Sequence, residues 1–400
     1  MKCWGENVTG GRLGYGDVSD RGDDANEMGN YLDFVDLGTN RKAIQISLGY
    51  YHTMAILDNG DLKVWGAAAD GQIGQGDTYN RGDNAAEMGN DLDAVELGAG
   101  IWAKSAIAGE YYSCVITTQD NAACWGDNDN GQLGRGDDTD YGGNSGEMGD
   151  DLTMIQLGSG RTIIDMCAAQ NQNCVIRDDS SVVCWGDNIW GMLGIGNSTD
   201  IGDDANEMGN YLQSANMGSG RTAIEIHCGG DTSCAVLDDN SFKCWGDNFR
   251  GQVGQGHFSD IADDPNEMGD YLPPINFGAG LSILECDDVS PTASPSINFS
   301  PTDMPSSAPT MNPTQSYNPT LSSLAPSIGV GIIDQIQHGS IQSDYIWGLD
   351  IDSEGDFYVM GYTSSGSYFA SNAGLRDPVA IKYDGTTFTE IWGYQSGDFN

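Results

Sequence analysis

Short apolar runs separated by polar turns recur along roughly the first two thirds of the chain. In one unit, the apolar run at residues 54–57 precedes an Asp-Asn-Gly turn, and a second run follows it and ends at Trp65-Gly66. Two such runs around Asn-Gly predict a β-hairpin, because Asn and Gly accept the positive φ angles of a tight turn. An alternating run before the hairpin and another after a long polar loop complete the unit. Each unit is therefore predicted to contain four short strands.

The units follow one another at a fixed distance. The Trp-Gly pair that closes the hairpin recurs every 60 residues from Trp65 to Trp245, and Trp4 lies 61 residues before Trp65. Such a period indicates a repeat architecture, and small antiparallel sheets stacked around an axis leave only short edges exposed. The predicted fold class is all-β: a β-propeller of four-stranded blades of about 60 residues, four whole and others partial. The tryptophans that mark the repeat are Trp4, Trp65, Trp125, Trp185 and Trp245.

Composition divides the chain into three parts. The propeller repeats occupy residues 1–286, and strand and turn patterns return in residues 330–400, where we expect part of a second β-propeller. Between them, residues 287–329 contain eight of the twelve prolines, set among Ser and Thr. Such a segment cannot bury a core and is predicted to be a disordered, extended linker. The chain begins and ends within a unit, so we expect further sequence on both sides.

The charge of the chain excludes several classes of partner. With 59 acidic and 16 basic residues, the formal net charge is −43, and such a surface repels nucleic acid and anionic lipid. No run reaches the roughly 18 consecutive apolar residues that a membrane helix needs, so we expect no membrane insertion. Cations and basic protein surfaces are the partners that this charge favours.

Six of the ten cysteines form pairs that are ten residues apart and lie on opposite sides of a predicted hairpin. Opposed hairpin positions are within disulfide reach, and the one unit without these cysteines has lost both, with Met54 and Val64 in their places. We predict three hairpin disulfides. Buried free thiols are the alternative, and zinc is disfavoured because no C-x2-C pair occurs. The predicted pairs are Cys114–Cys124, Cys174–Cys184 and Cys234–Cys244.

The other cysteines are Cys3, Cys167, Cys228 and Cys286. Their positions also allow a bond between Cys167 and Cys228, on the first strands of neighbouring units, and leave the pairing of the other two open. Disulfide-bonded cysteines imply an oxidising compartment. This favours an extracellular or cell-surface location over a cytoplasmic or nuclear one.

Each unit contains an acidic loop with Glu-Met-Gly, and one copy is GDDANEMG at residues 202–209. Calcium prefers carboxylate and amide oxygens, so Asp203, Asp204, Asn206 and Glu207 are candidate calcium ligands, with a solvated acidic loop as the alternative. The acidic residues recur in every unit, whereas a catalytic pair of carboxylates is expected once. The four histidines match no Cys/His or Ser/His/Asp pattern. We therefore predict no catalytic residue and no other cofactor.

The segment GYYHTMAILDNGDLKVWGAAADGQIGQGD, at residues 49–77, resembles the regulator of chromosome condensation repeat. Units over about residues 1–286 share its Trp-Gly pair and its closing glycines in register. The resemblance implies propeller blades, usually seven in a ring, in proteins that serve mostly as binding platforms. Some members act as guanine-nucleotide exchange factors, and some inhibit bacterial β-lactamases. The C-terminal DFYVMGYT and IKYD motifs resemble one blade of a different seven-bladed propeller family.

These observations predict a non-catalytic binding or scaffold module, extracellular or on the cell surface, that binds protein or glycan through its propeller loops. The alternative implied by the resemblance is a guanine-nucleotide exchange factor for a small GTPase, in the cytoplasm or nucleus. The cysteines separate the two, because a cytosolic protein keeps its thiols reduced. An enzyme such as a hydrolase is the least favoured class.

Overall fold

A computed structural model describes residues 1–278 and four strands between residues 344 and 395. The two parts belong to separate compact units. The predicted linker, residues 287–329, lies outside the described residues, and its disorder stays a prediction. The described chain is all-β, as the alternating pattern indicated, and residues 1–278 form successive propeller blades.

Three consecutive antiparallel strands form the body of each whole blade. The four blades span residues 43–98, 103–158, 163–218 and 223–278, and residues 1–42 form a partial blade before them. The first strand of each blade is half-buried, while the second and third are almost wholly buried. The strands are β1 (Ala43–Leu48), β2 (His52–Leu57) and β3 (Leu62–Gly66); β4 (Ala103–Ala108), β5 (Tyr112–Thr117) and β6 (Ala122–Gly126); β7 (Ile163–Ala168), β8 (Gln172–Arg177), β9 (Val182–Gly186) and β10 (Ser214–Ala215); and β11 (Ala223–Gly229), β12 (Thr232–Leu237) and β13 (Phe242–Gly246).

The fourth run of each blade lies along the third strand but makes few ladder bonds. The Val95 N–H donates to the Leu62 carbonyl over 2.8 Å, and the same bond recurs in the second and fourth blades. Among the four blades described, only the third has a formal fourth strand, β10, which pairs with β9. The outer edge is short because the chain leaves the sheet at a glycine, which is Gly98 with φ +110° in the first blade.

Short 3-10 helices precede these outer runs in the four whole blades, where they follow the Glu-Met pair of the acidic loop. They are Gly89–Asp91, Gly149–Asp151, Gly209–Tyr211 and Gly269–Tyr271. In the described part of the chain, no helix has the length and apolar character needed to span a bilayer.

The repeat tryptophans lie at the junctions between blades. Trp65, Trp125, Trp185 and Trp245 are fully buried, whereas Trp4 is 60% exposed. Each buried indole packs on the glycine loop of the preceding blade. No described residue covers Trp4 in that way.

Two hydrogen bonds to one oxygen join each blade to the one before it. Trp125 Nε1 donates to the carbonyl of Gln72 over 3.0 Å, and Ser113 Oγ donates to the same oxygen over 2.8 Å. Ser113 and Trp125 are opposite each other in the β5–β6 ladder, so both donors point at one acceptor in the first blade. We call this arrangement the shared-carbonyl junction. It recurs with Trp65 and Thr53 on Arg12, Trp185 and Asn173 on Gln132, and Trp245 and Ser233 on Met192.

The loop that supplies the carbonyl requires its glycines. At Gly74 φ is +72°, and an added Cβ would lie 2.6 Å from Trp125 Nε1. A side chain there would push the indole away from its acceptor and would strain the backbone. Packing between blades therefore explains why the closing glycines recur in every unit.

In the second compact unit, four strands form one antiparallel sheet in chain order. They are β14 (Asp344–Ile351), β15 (Phe357–Thr363), β16 (Asp377–Tyr383) and β17 (Glu390–Gln395). This is the strand content of one propeller blade, as the pattern of residues 330–400 predicted. Its likeness to a different propeller family stays a prediction.

Replacing Trp125 with Phe should destabilise the protein by about 2 to 3 kcal/mol, because one donor to the Gln72 carbonyl is lost and the smaller ring leaves a cavity. Urea denaturation followed by circular dichroism measures the change in unfolding free energy. Trp102→Phe is the matched control, since Trp102 is 50% exposed. Equal losses in the two variants would contradict the role given to the shared-carbonyl junction.

Candidate binding surface

The structure joins each predicted hairpin pair of cysteines. Cys114 faces Cys124 in the β5–β6 ladder with Cα atoms 4.1 Å apart, and the corresponding pairs of the third and fourth blades share this register. In the first blade, Met54 faces Val64 at the same position, and both side chains are fully buried. A disulfide thus takes the place of an apolar cross-strand pair in three of the four whole blades.

A fourth disulfide joins Cys167 on β7 to Cys228 on β11 and so links the first strands of neighbouring blades. Cys3 has no disulfide partner among the described residues, and burial raises the pKa of its thiol to about 11. Cys286 lies outside the residues that the structure describes. The four bonded pairs are compatible with an oxidising compartment.

The acidic Glu-Met-Gly loop uses its glutamate to hold its own backbone. Glu207 Oε2 accepts from the N–H of Gly202 over 2.7 Å and from the N–H of Asp204 over 3.1 Å, and the other copies of the loop repeat both bonds. The described residues contain one group of three acidic side chains close enough to hold a metal ion together. Asp203, Asp204 and Glu207 do not belong to it. Calcium binding by these residues and Asn206 stays a prediction.

The described histidines show no catalytic arrangement. His52 is fully buried, and its Nε2 lies 2.9 Å from Ser113 Oγ across the junction between the first and second blades. Burial lowers the pKa of His52 to about 4, so the imidazole is neutral at neutral pH. His227 and His257 are exposed, and His338 lies outside the described residues.

One end of the blades presents a surface of carboxylates, which we call the carboxylate face. Here the turn between the first and second strands is tied to the loop after the third strand, as by the bond from Asp127 N–H to the Tyr111 carbonyl over 3.1 Å. Neighbouring blades place their acidic residues within electrostatic range of one another. The residues of the carboxylate face are Asp70, Glu110, Asp127, Asp129, Asp140, Asp187, Asp200, Asp231 and Asp247.

Three of these carboxylates are especially close. Asp127, Asp129 and Asp140 have oxygens within 4.8 Å of one another. Asp127 Oδ2 accepts from Gln132 Nε2 over 2.8 Å, and Asp140 Oδ1 accepts from the Asn128 N–H over 2.9 Å, so the loops hold the three in place. Partial burial, with added repulsion from neighbouring carboxylates, raises the pKa of Asp127 to about 6.

The same effect extends over the other blades. Burial is the largest cause, and neighbouring carboxylates contribute, in raising the pKa values of Asp70, Glu110, Asp140, Asp200 and Asp231. Within residues 1–278, no ion pair joins any of these carboxylates to a lysine or arginine, so their charges are not neutralised locally. The carboxylate face therefore keeps an excess of negative potential that attracts cations.

Aromatic rings on the same turns provide apolar contact area beside the carboxylates. Tyr51 and Tyr111, from the first and second blades, stack with ring centroids 4.8 Å apart, and Tyr50 is 4.6 Å from Tyr51. The guanidinium of Arg12 lies over the Tyr51 ring at 5.4 Å. This contact shows, within the chain itself, how an arginine is held by these rings through a cation–π interaction.

The predicted site residues lie in the Glu-Met-Gly loop, and the residues of the carboxylate face were not among them. The sequence signal for this face is the Gly-Asp-Asn that follows the repeat cysteine and tryptophan in the second, third and fourth blades. Asp127 belongs to that motif, and its equivalent in the first blade is Ala67. This difference between the units can be seen when they are aligned. Only the fold shows that Asp140 and Asp70 lie near Asp127.

The fold and this surface together define a class of protein, one built of repeated propeller blades with a charged surface at one end, which suits a binding or scaffold module. The model of the regulator of chromosome condensation (RCC1) repeat matches residues 43–72, 108–132 and 224–252. These segments contain the hairpins of the first, second and fourth blades. The chain therefore contains RCC1 repeats, as its sequence resemblance predicted.

Known proteins resemble the propeller part of the chain. Over 217 residues it is 25% identical to human E3 ubiquitin-protein ligase HERC2, covering 54% of this chain and 4% of the ligase. Over 262 residues it is 25% identical to the ultraviolet-B receptor UVR8 of Arabidopsis thaliana, covering 64% of this chain and 51% of the receptor. The crystal structure of Prp20p from Saccharomyces cerevisiae is 18% identical with a TM-score of 0.48, covering 64% of this chain and 55% of that chain. The chain thus spans about half, or far less, of the length of these proteins.

Asp127 should titrate with a midpoint near pH 6, visible in the carbon-13 shift of its carboxyl group. Asp129→Asn should lower this midpoint because a repelling charge is removed, yet leave it above the ordinary 3.8 because burial persists. Asp138→Asn, which removes an exposed carboxylate outside the face, is the control. A midpoint near 4 in the unaltered protein would contradict the environment described for Asp127.

Proposed function

We propose that this chain is a non-catalytic binding module that acts outside the cell and captures a basic segment of a partner protein on the carboxylate face. The supporting observation is a set of neighbouring carboxylates whose pKa values are raised by burial and by mutual repulsion. A lysine or arginine side chain placed among them relieves that repulsion on binding. A basic segment therefore gains electrostatic free energy that a neutral glycan does not.

Aromatic rings beside the carboxylates should also contribute to binding the partner segment. The stacked pair Tyr51 and Tyr111 borders the carboxylates, and it offers flat surfaces for arginine guanidinium groups, as Arg12 illustrates. Aromatic anchors inside a charged surface are typical of protein interfaces, where the rings supply contact area and the charges select the partner. We therefore expect an arginine-containing segment to bind more tightly than a lysine-only segment of equal charge.

The extracellular location is supported by the four bonded cysteine pairs. In protein isolated from its native source under thiol-blocking conditions, mass spectrometry without reductant should find these pairs intact. A sample reduced before blocking serves as the control, since every cysteine in it should accept the reagent after unfolding. Blocking reagent on all eight paired cysteines would place the protein in a reducing compartment and contradict this part of the proposal.

Calorimetric titration with a short peptide of alternating arginine and serine should show binding that weakens as salt rises from about 0.05 to 0.15 M. The combined variant Asp127→Asn, Asp129→Asn and Asp140→Asn should bind about tenfold more weakly, because the cationic peptide loses three close charges. Binding should also weaken as the pH falls below 6, since protonation of Asp127 removes a negative charge.

The control for this titration removes three exposed carboxylates elsewhere: Asp24→Asn, Asp33→Asn and Asp151→Asn. It has the same net charge as the first variant and should bind like the unaltered protein. Equal weakening in both variants would mean that net charge, and not the carboxylate face, attracts the peptide. In the same experiments, fast release of labelled guanine nucleotide from a small GTPase would favour the exchange-factor alternative.

A further inference from the structure

The whole blades share a buried site for a positive charge between each blade and its predecessor. In the first blade, the Lys63 side chain is buried and its ammonium donates to the carbonyls of Leu37 and Gly89. In the fourth blade, Lys243 makes the same two bonds to the equivalent carbonyls, at 3.0 and 2.7 Å. A pair of backbone oxygens at this junction is therefore a site that an ammonium group fits.

The third blade fills the corresponding site in another way. Val183 stands at the position of the lysine, opposite Val175 in the ladder. The guanidinium of Arg177, at the end of β8, instead donates to the Leu157 carbonyl over 3.0 Å. Three of the four whole blades thus supply their own cation to the carbonyl of the outer run before them.

The second blade supplies none. Ala123 stands at the lysine position and Thr117 at the position of the arginine. The carbonyls are still held in place, because the Gly149 N–H donates to the Glu96 carbonyl over 2.8 Å, a bond that every other whole blade repeats. Among the described residues, the Leu97 carbonyl accepts no hydrogen bond, and that of Gly149 accepts one backbone bond of 3.1 Å.

A cavity of about 590 Å3 lies at this junction, and Leu97 and Gly149 both line it. Three acidic residues, Asp61, Glu96 and Asp150, also line it, and its walls contain no lysine, arginine or histidine. Each of the other three blades places a cation in the equivalent region. The cavity thus has the hydrogen-bond acceptors and the negative charge of the equivalent sites in the other blades, but it lacks their positive charge.

Two neighbouring residues at the same junction also differ from their equivalents in the other blades. Ile101 occupies a place where the other three junctions have an arginine paired with aspartate, at Arg41, Arg161 and Arg221. The next residue, Trp102, forms a wall of the cavity and is 50% exposed. The nearest cation along the chain, Lys104, is paired with Asp120 over 2.5 Å and does not line the cavity.

We propose that this cavity is a binding site for the ammonium group of a lysine side chain supplied by a partner protein. The ammonium donates to the carbonyls of Leu97 and Gly149, as Lys63 does to its own pair, and Asp150 balances the charge. The aliphatic stem lies along the indole of Trp102. The site is at the turn between second and third strands, the opposite end of the blades from the carboxylate face, and does not depend on the function proposed above.

The first test compares two small probes on the intact chain. Nα-acetyl-lysine methylamide should cause saturable shifts in the amide resonances of Gly98 and Gly149 and change the fluorescence of Trp102. The norleucine analogue, which keeps the stem and lacks the ammonium, should bind at least tenfold more weakly. Equal binding of the two would show an apolar slot and overturn the proposal.

The second test fills the cavity from within. Ala123→Lys combined with Val115→Ala recreates the alanine–lysine cross-strand pair seen at Ala55 and Lys63. This variant should lose lysine-probe binding at least tenfold, because its own ammonium occupies the carbonyls, and should still bind the arginine peptide on the carboxylate face. Ser145→Lys adds the same charge at an exposed site and should change neither. Undiminished probe binding by the filled variant would overturn the proposal.

A third variant perturbs the charge without repacking. Asp150 Oδ1 accepts from the Ala99 N–H over 2.7 Å, and asparagine does the same at the equivalent positions Asn90 and Asn210. Asp150→Asn should therefore fold normally and bind the lysine probe about fivefold more weakly, whereas Asp151→Asn should not change binding. Equal affinity in both variants would contradict the proposed role of Asp150, whether or not the filled variant folds.

Discussion

One backbone oxygen at each junction, shared by an indole N–H and a second side-chain donor, is the interaction on which the blade stack depends. At the Gln72 carbonyl the two donors come from adjacent strands of the next blade, so the bond pair fixes both the distance and the angle between blades. The junction is buried, where an unsatisfied carbonyl or indole N–H costs about 1–3 kcal/mol. The repeated Trp, the hydroxyl or amide opposite it, and the glycine at Gly74 all serve this one contact.

The sequence predicted the periodic tryptophans and the facing cysteines, but not the second donor or the acceptor of this contact. Trp125 and the cysteine pairs are side chains that recur with a fixed period, so spacing alone placed them on facing strands. The acceptor is main-chain, and the residues that supply it are chemically unrelated, as Arg12, Gln72 and Met192 show. A carbonyl oxygen leaves no mark in residue type, and such contacts become visible only in three dimensions.

The candidate sites, too, could be predicted from the sequence only in part. The glutamate of each acidic loop, such as Glu207, was predicted as a candidate calcium ligand; Glu207 Oε2 accepts two bonds from the loop's own backbone, and calcium binding there stays a prediction. The carboxylates that do come together, Asp127 and Asp140, are separated along the chain and meet because the antiparallel bridge between Gly126 and Tyr141 closes the loop after β6. The change from Lys63 to Ala123 is plain when the units are aligned, yet it has meaning only once the carbonyls that the lysine serves are known.

The bond between Cys167 and Cys228 gives the stack a mechanical property. A chain pulled from its two ends extends only through segments that no covalent link bypasses, and this bond bypasses a segment of 61 residues. At ~3.4 Å per extended residue, roughly 200 Å of contour length is thereby withheld from extension. Force transmitted along the chain passes through the sulfur bridge from the third blade to the fourth. The part of the third blade that follows Cys167 consequently cannot be drawn out by a pulling load while the bridge is intact.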